Sequence, residues 1–279
     1  METIRSVDEM RARARALRES GDVVGLVPTM GYLHEGHLSL IRLAAELADT
    51  VVVSIFVNPT QFGPAEDYER YPRDLERDAR LAEGAGCDVL FVPEVADMYP
   101  EGHATAVHIE RLSEKLCGAQ RPGHFDGVCT VVAKLMNIVE PGLAVFGQKD
   151  GQQAVIIERM VDDLNMDVTI VLGPTVREPD GLAMSSRNTY LSPDERSDAL
   201  SINEALSEAR ERYEAGETDA GSVVDRIRVT IDARPKARVE YVSAVDRRTL
   251  DDVRVLGPGT MIAVAARVGG TRLIDNVVL

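Results

Sequence analysis

The residues with the greatest chemical reach cluster in 28-PTMGYLHEGHLSLI-41, where His34 and His37 flank Glu35-Gly36. Two imidazoles there offer donors that can meet negative charge as it develops in a reaction. Gly31 and Gly36 let backbone approach a phosphate with no Cβ in the way. The apolar helical pattern that begins near His37 would turn free N–H groups and a positive dipole end toward the same point. A phosphate site fits all three features. A zinc-protease helix needs His-Glu-x-x-His with the rings four apart, whereas these are three apart with a glycine between. The Gly-x-Gly-x-x-Gly of dinucleotide folds is absent from this stretch. On the residues alone, two loop histidines without a role remain an alternative.

Such a loop needs a strand to deliver it and a helix to receive it. VVGLVP (23–28) reads as a buried strand and HLSLIRLAAELA (37–48) as a helix with apolar residues at i, i+3, i+4. The alternation continues. TVVVSIFV (50–57), CDVLFVP (87–93), LAVFG (143–147) and MDVTIVLG (166–173) read as strands; YPRDLERDARLAEGAG, VCTVVAKLMNIV (128–139) and GQQAVIIERMVDDLN read as helices. Apolar strands without alternation, separated by helices, predict an α/β fold: a doubly wound, Rossmann-like parallel sheet covered on both faces. The N-terminal stretch, with Met10, Ala14 and Leu17 at helical spacing, reads as a first helix rather than a transit peptide.

The pattern changes after about residue 186. SPDERSDALSINEALSEARERYEAG opens with a Ser192-Pro193 helix start, AGSVVDRIRVTIDA is a second helix, and RVEYVSAVD, GTMIAVAARV and TRLIDNVVL read as antiparallel strands, the last two joined by Gly269-Gly270. The expected organisation is a Rossmann-like domain over 1–186 and a smaller α+β domain over 187–279.

Charge narrows the classes of partner. The 279-residue chain carries a formal net charge of −15, so non-specific nucleic-acid binding, which needs a basic face, is disfavoured. No window approaches 18 apolar residues, which disfavours a membrane span. Cys87, Cys117 and Cys129 are odd in number and fit no metal or disulfide spacing. With no apolar leader in the N-terminal stretch, the expected location is the cytoplasm, where thiols stay reduced.

The His34–His37 stretch has the H-x-G-H signature of the nucleotidyltransferase superfamily, and PTMGYLHEGH resembles the version found in the pantoate–β-alanine ligase (pantothenate synthetase) family. Four more segments match in order: 58-NPTQF-62, 121-RPGHFDGV-128, 146-FGQKDGQQ-153 and 184-MSSRN-188. Tyr32, where alanine is usual, and Gly151, where a larger residue is frequent, depart from the pattern. The resemblance implies ATP-dependent joining of (R)-pantoate to β-alanine through pantoyl adenylate, with release of pyrophosphate and AMP. It implies His34, His37, Lys149 and Arg187 as the reacting cations. A nucleotide site would comprise Met30, Gly31, Tyr32, Leu33, His34, Glu35, Gly36, His37, Gly147, Gln148, Lys149, Asp150, Val176, Met184, Ser185, Ser186 and Arg187. Gln61 and Gln153 would bind pantoate, Asn58 would shape that pocket, and Arg121 would contact substrate or, with His124, order a loop. Met30, Phe62, Val131 and Met136 would wall the gem-dimethyl group, a core role being equally open for the last two. Mg²⁺ would ride on the phosphates. Asp74 and Asp78 read as a solvated helix face or as its helpers, and no protein ligand is assigned to the metal. A homodimer is expected, and TVVVSIFV with its flanks could supply an interface. H-x-G-H alone would also allow a nucleotidyltransferase acting on a phosphorylated acceptor.

Overall fold

The computed structural model describes residues 1–64 and 66–279. In chain order the elements are β1 (Glu2–Ile4), α1 (Val7–Ser20), β2 (Val24–Thr29), α2 (Glu35–Leu47), β3 (Thr50–Ile55), α3 (Leu75–Ala85), β4 (Val89–Phe91), α4 (Val95–Met98), α5 (Leu116–Gln120), α6 (His124–Val139), β5 (Leu143–Gly147), α7 (Gly151–Asp163), β6 (Thr169–Gly173), α8 (Pro193–Glu214), α9 (Ala220–Asp232), β7 (Ala237–Asp246), β8 (Thr260–Val268) and β9 (Thr271–Val278). They divide into two compact units, Met1–Glu114 with Gly118–Gly147 and Ile156–Pro174, and Lys115–Cys117 with Gln148–Val155 and Thr175–Leu279.

The first unit is built on a six-stranded sheet in the order β1-β4-β3-β2-β5-β6, parallel throughout. Its strands are short runs of Val, Leu and Ile because both faces are covered, and Leu26, Val52, Val53 and Leu90 are fully buried. Successive strands run from β2 outward to β3 and β4, and the chain then returns to place β5 on the other side of β2. The carboxyl ends of β2 and β5 therefore flank a topological switch point, where such sheets bind ligands. The three-residue edge strand β1, which precedes the first helix, is not among the expected strands. It is too short to show a period, and only its pairing with β4 identifies it. Met10, Ala14 and Leu17 of α1 are all buried. Strand β3 is hydrogen-bonded on both sides, and Thr50 to Ser54 are buried in the sheet interior.

The second unit holds the antiparallel sheet β7-β8-β9. Val268 pairs with Thr271 across a two-residue turn in which Gly269 takes φ 56°, the left-handed geometry the Gly-Gly pair allows. Helix α8 starts with a reciprocal cap: the Glu195 N–H donates to Ser192 Oγ at 3.4 Å, and the Ser192 N–H to Glu195 Oε2 at 2.8 Å. Ile202 and Leu206 of α8, Ile227 and Ile231 of α9, and Ile262 and Val264 of β8 share one core. Among the described residues no helix is long and apolar enough to cross a membrane.

Candidate active site

Loop 30–34 is folded by an unusual sequence of hydrogen bonds at the end of β2. Thr29 Oγ1 donates to Ser54 O at 2.8 Å and accepts the Gly31 N–H at 3.1 Å, so the chain turns at once. Gly31 has φ 82°, and a Cβ there would lie 2.9 Å from Ile55 Cγ2, so only glycine fits. Tyr32 is also left-handed, at φ 51°. Asp78 holds this turn just beyond Gly31. Its carboxylate accepts the Tyr32 N–H at 2.6 Å and the Leu33 N–H at 2.7 Å, with the side chain 1% exposed. Burial pushes the Asp78 carboxyl above its ordinary value, and the two amide bonds only partly oppose it. Arg77 lies over the Tyr32 ring at 5.2 Å, which accommodates tyrosine at the departing position.

Helix α2 then begins at Glu35, two residues before the apolar period, with extended His34 as its N-cap. The first amides, those of Glu35 and Gly36, precede any intrahelical acceptor. The His34 N–H donates to His37 Nδ1 at 3.3 Å, which assigns the neutral ring's proton to Nε2. The two rings lie 4.0 Å apart, tilted by 31°. Glu35 turns its carboxylate to Arg42 at 2.5 Å, and that bond holds the Glu35 carboxyl below its usual range.

The loop after β3 meets this one. Gln61 Nε2 donates to Met30 Sδ at 3.1 Å, while Gln61 Oε1 accepts from Asn58 Nδ2 at 3.1 Å. Asn58 is 1% exposed and fully engaged: its Oδ1 accepts from Thr60 Oγ1 and Tyr99 OH, both at 2.9 Å, and its Nδ2 also reaches Gly127 O at 3.0 Å. A thioether is a weak acceptor, so the Gln61 amide gains by exchanging Met30 for a substrate oxygen. Arg121 forks onto Glu66, Nε to Oε1 at 2.7 Å and Nη2 to Oε2 at 2.5 Å, and also reaches Gln61 O at 3.3 Å. Val131 and Met136 are buried on α6. Gly147 ends β5 at its carboxyl end.

In the second unit, Asn276 of β9 holds the turn that carries Lys149. Its Nδ2 donates to Gln148 O and Lys149 O, both at 2.9 Å, and its Oδ1 accepts from Gln148 Nε2 at 2.9 Å. Lys149 Nζ lies 3.6 Å from Asp150. At Gly151 a Cβ would lie 2.7 Å from Met261 Sδ. Gln152 is the buried one of the glutamine pair, accepting the Cys117 N–H and donating to Lys115 O, and Gln153 is the more exposed. Val176 O accepts the Met184 N–H at 3.0 Å in a short hairpin. Ser185 caps the following turn by accepting the Arg187 N–H at 3.3 Å, and Ser186 is buried.

The residue types were readable in sequence, but three anchors were not: Asp78, Asn276 and Glu66. Only Asp78 left a signal, since it falls on the same face of α3 as buried Ala82 and Ala85. Among the described residues, no group of three or more His, Cys, Asp or Glu side chains is arranged to hold a metal ion. Both Asp78 oxygens already face amides.

The family model for pantoate–β-alanine ligase matches residues 2–278. The chain is 57% identical to the pantothenate synthetase of Heliobacterium modesticaldum over 279 residues, covering 100% of this chain and 99% of that protein. It is 55% identical to that of Pelotomaculum thermopropionicum over 274 residues, covering 98% and 97%. Pantothenate synthetase from Thermus thermophilus superposes with a TM-score of 0.94 at 47% identity, over 99% of both chains. The Francisella tularensis ligase complexed with β-γ ATP and β-alanine gives 0.84 at 34% identity, over 100% of this chain and 97% of that one. The chain therefore belongs to the pantoate–β-alanine ligase family.

Proposed function

We propose that this ligase forms its amide bond in two steps driven by ATP. In the first, a carboxylate oxygen of (R)-pantoate attacks the α-phosphorus. The bond from that phosphorus to the bridging oxygen breaks, and pyrophosphate leaves with the electron pair. In the second, the amine of β-alanine attacks the acyl carbon of pantoyl adenylate. The bond to the AMP oxygen breaks, AMP departs, and the amine proton passes to solvent. Activation is needed because oxide is a poor leaving group and AMP a good one.

The observation that carries this reading is the 3.1 Å contact from Gln61 Nε2 to Met30 Sδ. It sets the amide assigned to the acid beside the loop assigned to the nucleotide, as transfer between them requires. The reading gives the phosphates to His34, His37, Lys149 and Arg187, assisted by Ser185 and Ser186, and the pantoate oxygens to Gln61 and Gln153. For Lys149, Gln153 and Arg187 its support is the motif match. With Nδ1 accepting the His34 N–H, His37 acts as a neutral donor through Nε2–H, rather than as the cation the resemblance implies, toward charge building on the departing pyrophosphate. Magnesium, as the counter-ion of ATP, is assigned to phosphate oxygens and water, and no protein ligand is assigned to it. Residues 1–186 are read as the ATP- and pantoate-binding domain and 187–279 as a lid. A homodimer and a cytoplasmic setting complete the proposal, by analogy with the family and from the free thiols.

The test is pyrophosphate release with ATP and Mg²⁺, adding pantoate and then β-alanine. Pantoate-dependent release, then AMP and pantothenate on adding the amine, is expected. Release that requires a phosphorylated acceptor would replace this reading with nucleotidyl transfer. His37→Ala should slow single-turnover adenylation about 10²-fold with native circular dichroism. Adenylation at the wild-type rate would remove His37 from the chemistry.

A further inference from the structure

Gln61 does not choose its own position. It ends a single 3-10 turn, Pro59–Gln61, and its backbone is gripped by the start of α6. At Gly127 a Cβ would lie 2.5 Å from Thr60 O and 2.6 Å from Gln61 N, so the helix backbone abuts the turn directly. One turn earlier, His124 Nδ1 lies 2.8 Å from Gln61 O. Arg121 Nη2 shares that oxygen at 3.3 Å.

The cluster also fixes the state of His124. Arg121 has only donors, and its Nη1 lies 3.0 Å from His124 Nε2. Nε2 must therefore present its lone pair, which leaves the ring proton on Nδ1, aimed at the Gln61 carbonyl. Glu66 completes the arrangement by holding the guanidinium through two parallel bonds. Burial raises the Glu66 carboxyl, but the bond and charge of Arg121 outweigh it and hold the group below its ordinary value. The Arg121 side chain is 15% exposed, so its donors are committed inside this cluster.

We propose that Arg121 and His124, anchored by Glu66, are positioning residues that set the Gln61 amide for the hydroxy acid and make no contact with substrate themselves. The proposal rests on the reading that Gln61 binds pantoate. Its logic is a division of labour: Asn58 and Met30 orient the side-chain amide, while His124, Arg121 and Gly127 fix the backbone from which it springs.

The test is a double-mutant cycle read in steady-state kinetics. His124→Ala is expected to raise the KM for pantoate about tenfold, the loss of one hydrogen bond, with KM for ATP within about twofold of wild type. His124→Asn, whose amide N–H can stand in for Nδ1–H, should restore most of it. Combined with Gln61→Ala, neither His124→Ala nor Arg121→Lys should raise KM further, because both act through Gln61. Additive losses would mean direct substrate contact and overturn the proposal, as would an unchanged KM in the single variants. If His124→Ala fails to fold, Arg121→Lys carries the same cycle. Should Gln61→Ala alone leave KM for pantoate unchanged, the assignment of Gln61 itself falls, an outcome distinct from failure of the clamp.

Discussion

Asp78→Asn separates the stability of this fold from the geometry of its loop. The carboxylate is buried, and each oxygen accepts one amide N–H, at 2.6 and 2.7 Å. Asparagine keeps one acceptor and turns an NH₂ toward the other amide. One charge-assisted bond is lost and a buried N–H is orphaned, a single event of about 2–3 kcal/mol. Global stability should fall by less than that. Burial pushes the Asp78 carboxyl up despite its hydrogen bonds, so the protein holds this charge at a net disadvantage relative to water, and the amide removes that penalty. The loop has no such offset. Tyr32 sits at φ 51°, a conformation that costs about 1–2 kcal/mol without support. Loss of about 2 kcal/mol of support shifts the equilibrium between the native loop and its alternatives roughly 30-fold. The expected result is a fall in kcat/KM for ATP of about 10- to 30-fold at saturating pantoate, with a melting temperature only a few degrees lower. The pH dependence has a sign. A raised folded pKa makes the wild-type carboxyl contribute stability fully below its unfolded value near 3.8, and that contribution is lost as pH rises through the folded value. The stability gap between wild type and variant should therefore shift in favour of wild type on acidification. An Asp78→Asn enzyme with kcat/KM for ATP within about twofold of wild type would refute the role given to this carboxylate.

Two further outcomes follow from packing. Burial holds the Cys87 and Cys129 thiols up at about 12, so a disulfide reagent at about pH 8 should modify them only after denaturant is added; reaction of both within minutes in the native protein would contradict their burial. Gly127→Ala drives a Cβ into backbone at 2.5 Å, whereas Gly151→Ala meets side-chain atoms alone, Met261 Sδ at 2.7 Å and Asn276 Nδ2 at 3.1 Å. The first should lose about 2–3 kcal/mol in denaturant unfolding and the second under about 1 kcal/mol, and equal losses would show that the two contacts yield alike.

What the sequence revealed and what it withheld divide along contact range. The β2, β3, β4 and β5 strands were legible because a sheet covered on both faces demands unbroken apolar runs, and α1 because three buried residues repeat at helical spacing. Helix α6 is recognisable only from Val128, although it begins at His124, because His124, Asp126 and Gly127 in its first turn interrupt the apolar run. The site followed the same rule. His34 and His37 announced themselves through local spacing, but what disciplines that loop is Asp78, 46 residues from Tyr32. Likewise Asn276 reaches Lys149 across 127 residues and Glu66 reaches Arg121 across 55. None of these pairs leaves a periodicity to read. The one trace is negative: in α3 a carboxylate occupies the face shared with Ala82 and Ala85, where burial should exclude a charge. A charge on an apolar stripe is costly unless something meets it, and here the partners are the two amides of the loop that opens the site. The misfit in the helix and the strain in the loop are two halves of one device, each accounting for the other.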